Sequence, residues 1–269
     1  MHITNLISQY FGKFAKKEFP PFFQKIINGI YAKIFKIDLS EFRNAKYYKS
    51  LNDLFTRELA IPRQIDESID SIISPCDSFI TQGGKIKEDI LFQIKGMEYS
   101  LEDLLTYYCT DNFEKVRNGS YVNFYLAPSD YHRYHAPVDF VIKKLIHVPG
   151  KLYPVNFKYL RKEIELFVQN ERVILECVST KGKLFYMVFV GALNVGQMVF
   201  DFEPTVETNK NTKDIKYIDY EGVNINKGDT LGYFKMGSTI VMLWEEDSVE
   251  LENLLNQKVK FGQKVATVK

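Results

Sequence analysis

The chain has 269 residues, 45% hydrophobic and 26% charged, ordinary proportions for a globular protein near the upper size for one core. Thirty-five basic against 34 acidic residues leave a net charge of +1, which excludes a globally basic nucleic-acid binder and an acidic tail protein. Cys76, Cys109 and Cys177 lie far apart and form no Cys-x-x-Cys pair, so a disulfide scaffold is excluded and a reducing compartment is expected.

The first residues lack the ordered basic, apolar and small-residue regions of a targeting peptide, and none is expected. Instead Ile3, Leu6, Ile7, Tyr10, Phe11 and Phe14 recur at helical spacing, and Pro20 and Pro21 end that helix. Phe22, Phe23, Ile26, Ile27, Ile30, Tyr31, Ile34 and Phe35 form a second apolar stripe. Six lysines against Glu18 alone give residues 1–36 a charge of +5 and leave −4 for the rest. Two readings fit this pattern: an amphipathic hairpin on an anionic bilayer, or a helical pair packed on its own domain.

From residue 37 the chain changes character. Ser50 is placed to cap a short helix, LNDLFTREL, over 51–59. A second, SLEDLLTYY, is predicted over 100–108 from a capping-box start. Strands are predicted in SIISP, YVNFYLAP, RVILECVST, KLFYMVFV and GSTIVMLW. The longest uncharged run, residues 184–200, spans 17 residues; it holds two glycines and reads as two buried strands rather than a membrane span. A near-repeat, Ile225-Asn-Lys-Gly-Asp-Thr-Leu231 and Val259-Lys-Phe-Gly-Gln-Lys-Val265, marks two tight turns. The expected fold is α+β, with amphipathic N-terminal helices followed by a β-rich sandwich or barrel-like body.

His132 and His135 sit three apart in Tyr131-His-Arg-Tyr-His-Ala-Pro-Val138. No third ligand lies at metal spacing, so no metal is expected. Titration near neutral pH makes the pair candidates for acid–base work. Asp77 ends Ser74-Pro-Cys-Asp77, and Ser238 lies in Gly232-Tyr-Phe-Lys-Met-Gly-Ser-Thr239. Each segment alone reads equally well as a turn. Together they supply Asp, His and Ser, the members of a nucleophilic triad, although spacing gives no geometry.

These stretches, with Leu54-Phe-Thr-Arg-Glu-Leu59, Asn170-Glu-Arg172, Val190-Gly-Ala-Leu-Asn-Val-Gly196 and Lys227-Gly-Asp-Thr-Leu231, resemble the bacterial membrane-associated phosphatidylserine decarboxylase family over nearly the whole chain. Two departures stand out. The family's Arg-Pro after Leu59 is replaced by Pro62-Arg63-Gln64, and Cys76 occupies a position usually filled by a small residue. Neither departure touches a residue with an expected chemical role.

The resemblance implies a self-processing enzyme. Cleavage between Gly237 and Ser238 would leave 1–237 (β chain) and 238–269 (α chain), with Ser238 converted to a pyruvoyl group that forms a Schiff base with the substrate amine. His135, oriented by Asp77, would be the base for Ser238, and His132 the proton donor after decarboxylation. The implied partners are phosphatidylserine and an anionic membrane surface, met peripherally on the cytoplasmic side through residues 1–36. A homo-oligomer of the α/β unit is compatible with it, and no nucleic-acid partner is expected. Two rival readings are a serine hydrolase, which lacks a Gly-x-Ser-x-Gly elbow, and a lipoyl-like binding module, which lacks the modified-lysine turn.

Overall fold

A computed structural model describes residues 3–87, 89–92, 98–155, 166–193, 197–210, 212–235 and 238–269. Two helices lead, α1 (Ile3–Lys16) and α2 (Pro21–Ile34), with the break at Pro20 and Pro21 as expected. Their orientation is unusual. Asn5, Ser8 and Ala15 are the buried residues of α1, and Gln24 and Asn28 those of α2. Hydrogen bonds dock these faces: Asn5 Nδ2 donates to the Gly150 carbonyl at 3.1 Å, and Asn28 Nδ2 to the carbonyls of Ala45 and Tyr48 at 3.1 and 2.9 Å. The predicted apolar stripes face outward, with Ile3, Phe22 and Ile34 each about two-thirds exposed. Phe11 and Tyr31 turn partly inward onto Ala15, Leu51 and Leu54.

The third helix, α3 (Leu51–Phe55), begins where the Asp53 amide donates to Ser50 Oγ at 3.1 Å. It stops at Phe55 rather than at the predicted Leu59. Arg57 turns inward to the carbonyls of Ser129 and Asp130, and Leu59 bridges to Phe42. The helix predicted over 100–108 also divides. Thr106 at φ +67° ends α4 (Leu101–Leu105), and α5 (Thr110–Val116) follows a short 3₁₀ turn.

The body is built on an eight-stranded antiparallel sheet. Its spatial order is Lys216–Ile225, Phe140–Val148, Arg172–Ser179, Leu184–Val190, Ser238–Trp244, Ser120–Leu126, Ser78–Lys85 and Lys258–Val259. Leu184–Val190 and Ser238–Trp244 lie side by side and are buried along their whole length. This explains their unbroken apolar sequences: a strand covered on both faces has no solvent side to alternate with. A small sheet, Met198–Phe200, Thr230–Phe234 and Arg133–His135, packs onto it through Tyr134, whose ring lies 4.5 Å from Phe189 and 4.8 Å from Phe234. Ser71–Ile73, Lys264–Val268 and Val249–Leu251 form a third sheet.

The near-repeat is a structural pseudo-symmetry. The Ile73 amide donates to the Pro137 carbonyl at 3.0 Å, and reciprocally the His135 amide donates to the Pro75 carbonyl at 2.8 Å. Gly262 donates to Ser74 at 3.2 Å as Gly228 does to Ala136 at 2.9 Å. Asp77 accepts from the Phe261 amide at 2.8 Å as Asp139 accepts from the Lys227 amide at 2.6 Å. Both turn glycines adopt positive φ, +87° at Gly228 and +92° at Gly262. A Cβ at either would press within 3 Å of the same side chain, Ile65.

Candidate functional site

Two neighbouring clusters hold the predicted site residues. In the first, Arg63 lies between two carboxylates. Its Nη1 and Nη2 donate to the two oxygens of Asp77, the second at 2.9 Å, and its Nε and Nη2 each donate to Glu41 at 2.8 Å. This fork-to-carboxylate pairing is strong and directional. The hydrogen bond from Arg63 holds Glu41 down to about 2. Asp77 also caps the Phe261 amide, and the His135 ring stacks on Phe261 with centroids 3.6 Å apart and planes 13° apart.

His135 is itself fixed at both nitrogens. Nδ1 lies 3.0 Å from the Gly228 carbonyl, which accepts only, so Nδ1 carries the proton. Nε2 then accepts from the Tyr131 hydroxyl at 3.0 Å. Burial pushes this imidazole down to about 4. Near-neutral titration was expected from the sequence; the closed apolar surroundings of the ring overturn that.

The second cluster surrounds Ser238, the first residue of its strand and fully buried. Its Oγ has no hydrogen-bond partner among the described residues. Register places Ser238 opposite Leu126, and the Phe234 amide four residues earlier donates to the His132 carbonyl at 3.0 Å. The 127–132 turn is held by Arg57, which donates to Ser129 and Asp130. The Asp130 carbonyl accepts from His132 Nδ1 at 2.8 Å, leaving Nε2 a bare acceptor with no partner among the described residues. The His132 ring lies 3.9 Å from Phe55, and burial pushes it down to about 3. Both histidines are therefore neutral at physiological pH, bases before they are acids.

Asp77 and His135 are brought together through Phe261 rather than by a direct hydrogen bond. Neither is bonded to Ser238 among the described residues. Gly237 lies outside the described residues. Beside this cluster, an apolar groove of about 510 Å³ opens between the three N-terminal helices, with Phe14, Ile30, Phe55 and Pro128 in its walls. Among the described residues no helix is long and apolar enough to cross a membrane.

The model of the phosphatidylserine decarboxylase family matches residues 51–267. The chain is 44% identical to the phosphatidylserine decarboxylase proenzyme of Campylobacter jejuni, covering 99% of this chain and 100% of that one. It is 44% identical to the proenzyme of a Helicobacter pylori strain, covering 98% and 97%, and 35% identical to that of Alteromonas mediterranea, covering 98% and 82%. The chain belongs to the phosphatidylserine decarboxylase family.

Within this family framework, sequence reasoning missed Arg63, Glu41, Tyr131 and Phe261. Arg63 had been noted as a departure without chemical consequence; its pairing with Asp77 corrects that. Tyr131 stood inside the quoted histidine motif, and its neighbour in the chain, His132, drew the attention instead. Phe55 and Arg57 give the Leu54–Leu59 motif a physical purpose. One packs on His132, and the other fixes the turn that sets its tautomer.

Proposed function

We infer that the chain is a phosphatidylserine decarboxylase proenzyme that cuts itself between Gly237 and Ser238 and then releases carbon dioxide from phosphatidylserine, leaving phosphatidylethanolamine. The observation that carries this reading is the pair of orphaned buried atoms, Ser238 Oγ and His132 Nε2. A buried hydroxyl without a partner costs stability, and such costs persist where chemistry needs them. The residues fit a serine-derived pyruvoyl group: Ser238 is dry, its Oγ makes no hydrogen bond within the described structure, and its backbone is held in register opposite Leu126 at the edge of the core. That group supplies the electron sink a decarboxylation requires.

The chain's own residues do the rest. Ser238 Oγ is the nucleophile of self-cleavage, and neutral His135 is its base, taking the proton at Nε2 in exchange for the Tyr131 hydroxyl from which that nitrogen accepts in the resting fold. Asp77 acts on His135 as a positioning residue, fixing the Phe261 turn on which the ring stacks, with Arg63 holding the carboxylate in place. His132 holds one proton on Nδ1 and takes or returns a second at Nε2 toward Ser238. The dry surroundings of both rings keep water from competing for those protons.

The enzyme works as a peripheral protein on the cytoplasmic face. Residues 1–36 are its membrane contact, 37–269 its catalytic body, and 1–237 and 238–269 its two mature chains. The outward apolar faces of α1 and α2, with the +5 charge of residues 1–36, support contact with an anionic leaflet. The groove beside Phe55 is suited to an acyl chain of the substrate. The test is carbon dioxide release from vesicles containing carboxyl-labelled phosphatidylserine. Wild-type protein turns over, and Ser238→Ala shows no release above buffer. Undiminished release by Ser238→Ala would end this reading.

A further inference from the structure

A second cavity, of about 270 Å³, lies between α1 and the body, with Lys235, three residues before Ser238 in the chain, in its wall. Lys13, Lys16, Lys210 and Lys235 line it, and no Asp or Glu among the described residues does. Two of these ammonium groups converge on one neutral atom: Lys16 Nζ and Lys235 Nζ both donate to Gln197 Oε1, at 3.1 and 2.9 Å. Among the described residues neither lysine has an ion-pair partner, whereas Lys210 reaches Glu207 at 3.4 Å. The neighbouring arginine-lined cavity differs, since Arg133 there pairs with Glu58 at 2.8 Å.

A second observation points the same way. Asn209 also lines the lysine cavity, is 7% exposed, and its side-chain Oδ1 makes no hydrogen bond among the described residues. A half-turn about its terminal bond presents either the oxygen or the NH₂ to a ligand. Burial and the charge of Lys16 depress Lys235 below its ordinary value, the signature of positive charges without a counter-ion. The backbone of Lys235 is anchored at the same place, its amide donating to the Gln197 carbonyl at 2.8 Å.

We propose that Lys16 and Lys235, with Lys13 and Asn209, form a binding site for the phosphodiester of a phospholipid headgroup, tying α1 to Lys235, three residues before Ser238. The proposal rests on the decarboxylase reading for its lipid and goes beyond it in assigning these residues. One chemistry has two sources here, the substrate's own phosphodiester or that of another anionic lipid in the bilayer. Either occupant neutralises the lysine pair and holds α1 against Lys235.

The test compares full-length wild type with Lys16→Gln/Lys235→Gln and a charge-matched control, Lys85→Gln/Lys181→Gln, whose lysines pair with Asp247 and Asp70 elsewhere on the surface. Denaturing mass spectrometry first scores self-cleavage in each. On monomeric short-chain phosphatidylserine without a bilayer, a rise in KM of about tenfold with little change in kcat, and competition by inorganic phosphate that the variant loses, assigns the substrate's phosphodiester. An unchanged KM with a loss of about tenfold in the preference for phosphatidylglycerol-containing over pure phosphatidylcholine vesicles assigns a neighbouring anionic lipid. Lys16→Arg/Lys235→Arg retains the wild-type behaviour in whichever arm responds. Values matching the control in both arms overturn the proposal. The vesicle arm needs no turnover, so it decides the lysine site even for protein that releases no carbon dioxide, a result that would overturn the decarboxylase reading instead.

Discussion

The N-terminal helices and the β body obey opposite rules. In the body the aromatics go inside, and Phe189, Phe200, Phe234 and Tyr134 form one buried cluster. In α1 and α2 the polar side goes inside, with Asn5, Ser8, Gln24 and Asn28 buried while Ile3, Phe22 and Ile30 face out. An apolar patch of that extent on a protein surface marks an interaction site. The contrast teaches that a hydrophobic stripe predicts burial without naming what buries it. For the body the answer is the protein; for the helices we propose the bilayer.

Phe189→Ala should cost about 3–5 kcal/mol in urea unfolding, while Phe22→Ala/Ile30→Ala should change unfolding by less than about 0.5 kcal/mol and weaken vesicle binding. A large unfolding penalty for the helical pair would erase the contrast. Acid should act on the body alone, because α1 and α2 contain no histidine. His135 is held at about 4 in the fold, below its unfolded value, so the unfolded chain binds the extra proton. Stability therefore falls as pH drops through about 6.5 toward 4, by on the order of 3 kcal/mol from His135, and His132 adds a loss of its own from the same onset that continues toward about 3. His135→Gln should roughly halve that slope between pH 6.5 and 4 in thermal melts taken across pH.

Asn28→Leu inverts the rule at one position. It leaves the carbonyls of Ala45 and Tyr48 without their donor, at a cost of about 1–3 kcal/mol, despite adding an apolar residue to a buried site; a gain in stability would contradict the inside-out docking. The smallest expected effect separates the twin turns. Asp139→Asn should cost about 1 kcal/mol in unfolding, and Asp77→Asn more, because it also breaks the paired charge-assisted hydrogen bonds from Arg63. Asp77→Asn alone should slow self-cleavage, followed on denaturing gels, because His135 stacks on the Phe261 that Asp77 caps.

Much of the body was legible in the sequence because its strands are long, apolar and bounded by turn residues, as in Leu184–Val190 and Ser238–Trp244. The break at Pro20 and Pro21 was legible for the same local reason. The end of α3 was not, since Phe55 is its last residue through tertiary demands on Arg57 and Leu59. Ser238, His132, His135 and Asp77 could be picked out by residue type and motif. Their partners could not, because Arg63 to Asp77 and His135 to Gly228 are contacts across the fold. The inward polar faces of α1 and α2 were present as Asn5, Ser8, Gln24 and Asn28 at helical spacing. They were passed over because attention went to the apolar residues between them.

The central claim is that Ser238 is consumed by the protein's own chemistry. Denaturing mass spectrometry of the purified wild-type protein, with and without borohydride, tests it directly. The account predicts two species, residues 1–237 and a 238–269 fragment that lacks a free α-amine and gains two hydrogens on reduction. A single species of the full 269-residue mass, unchanged by borohydride, would contradict it.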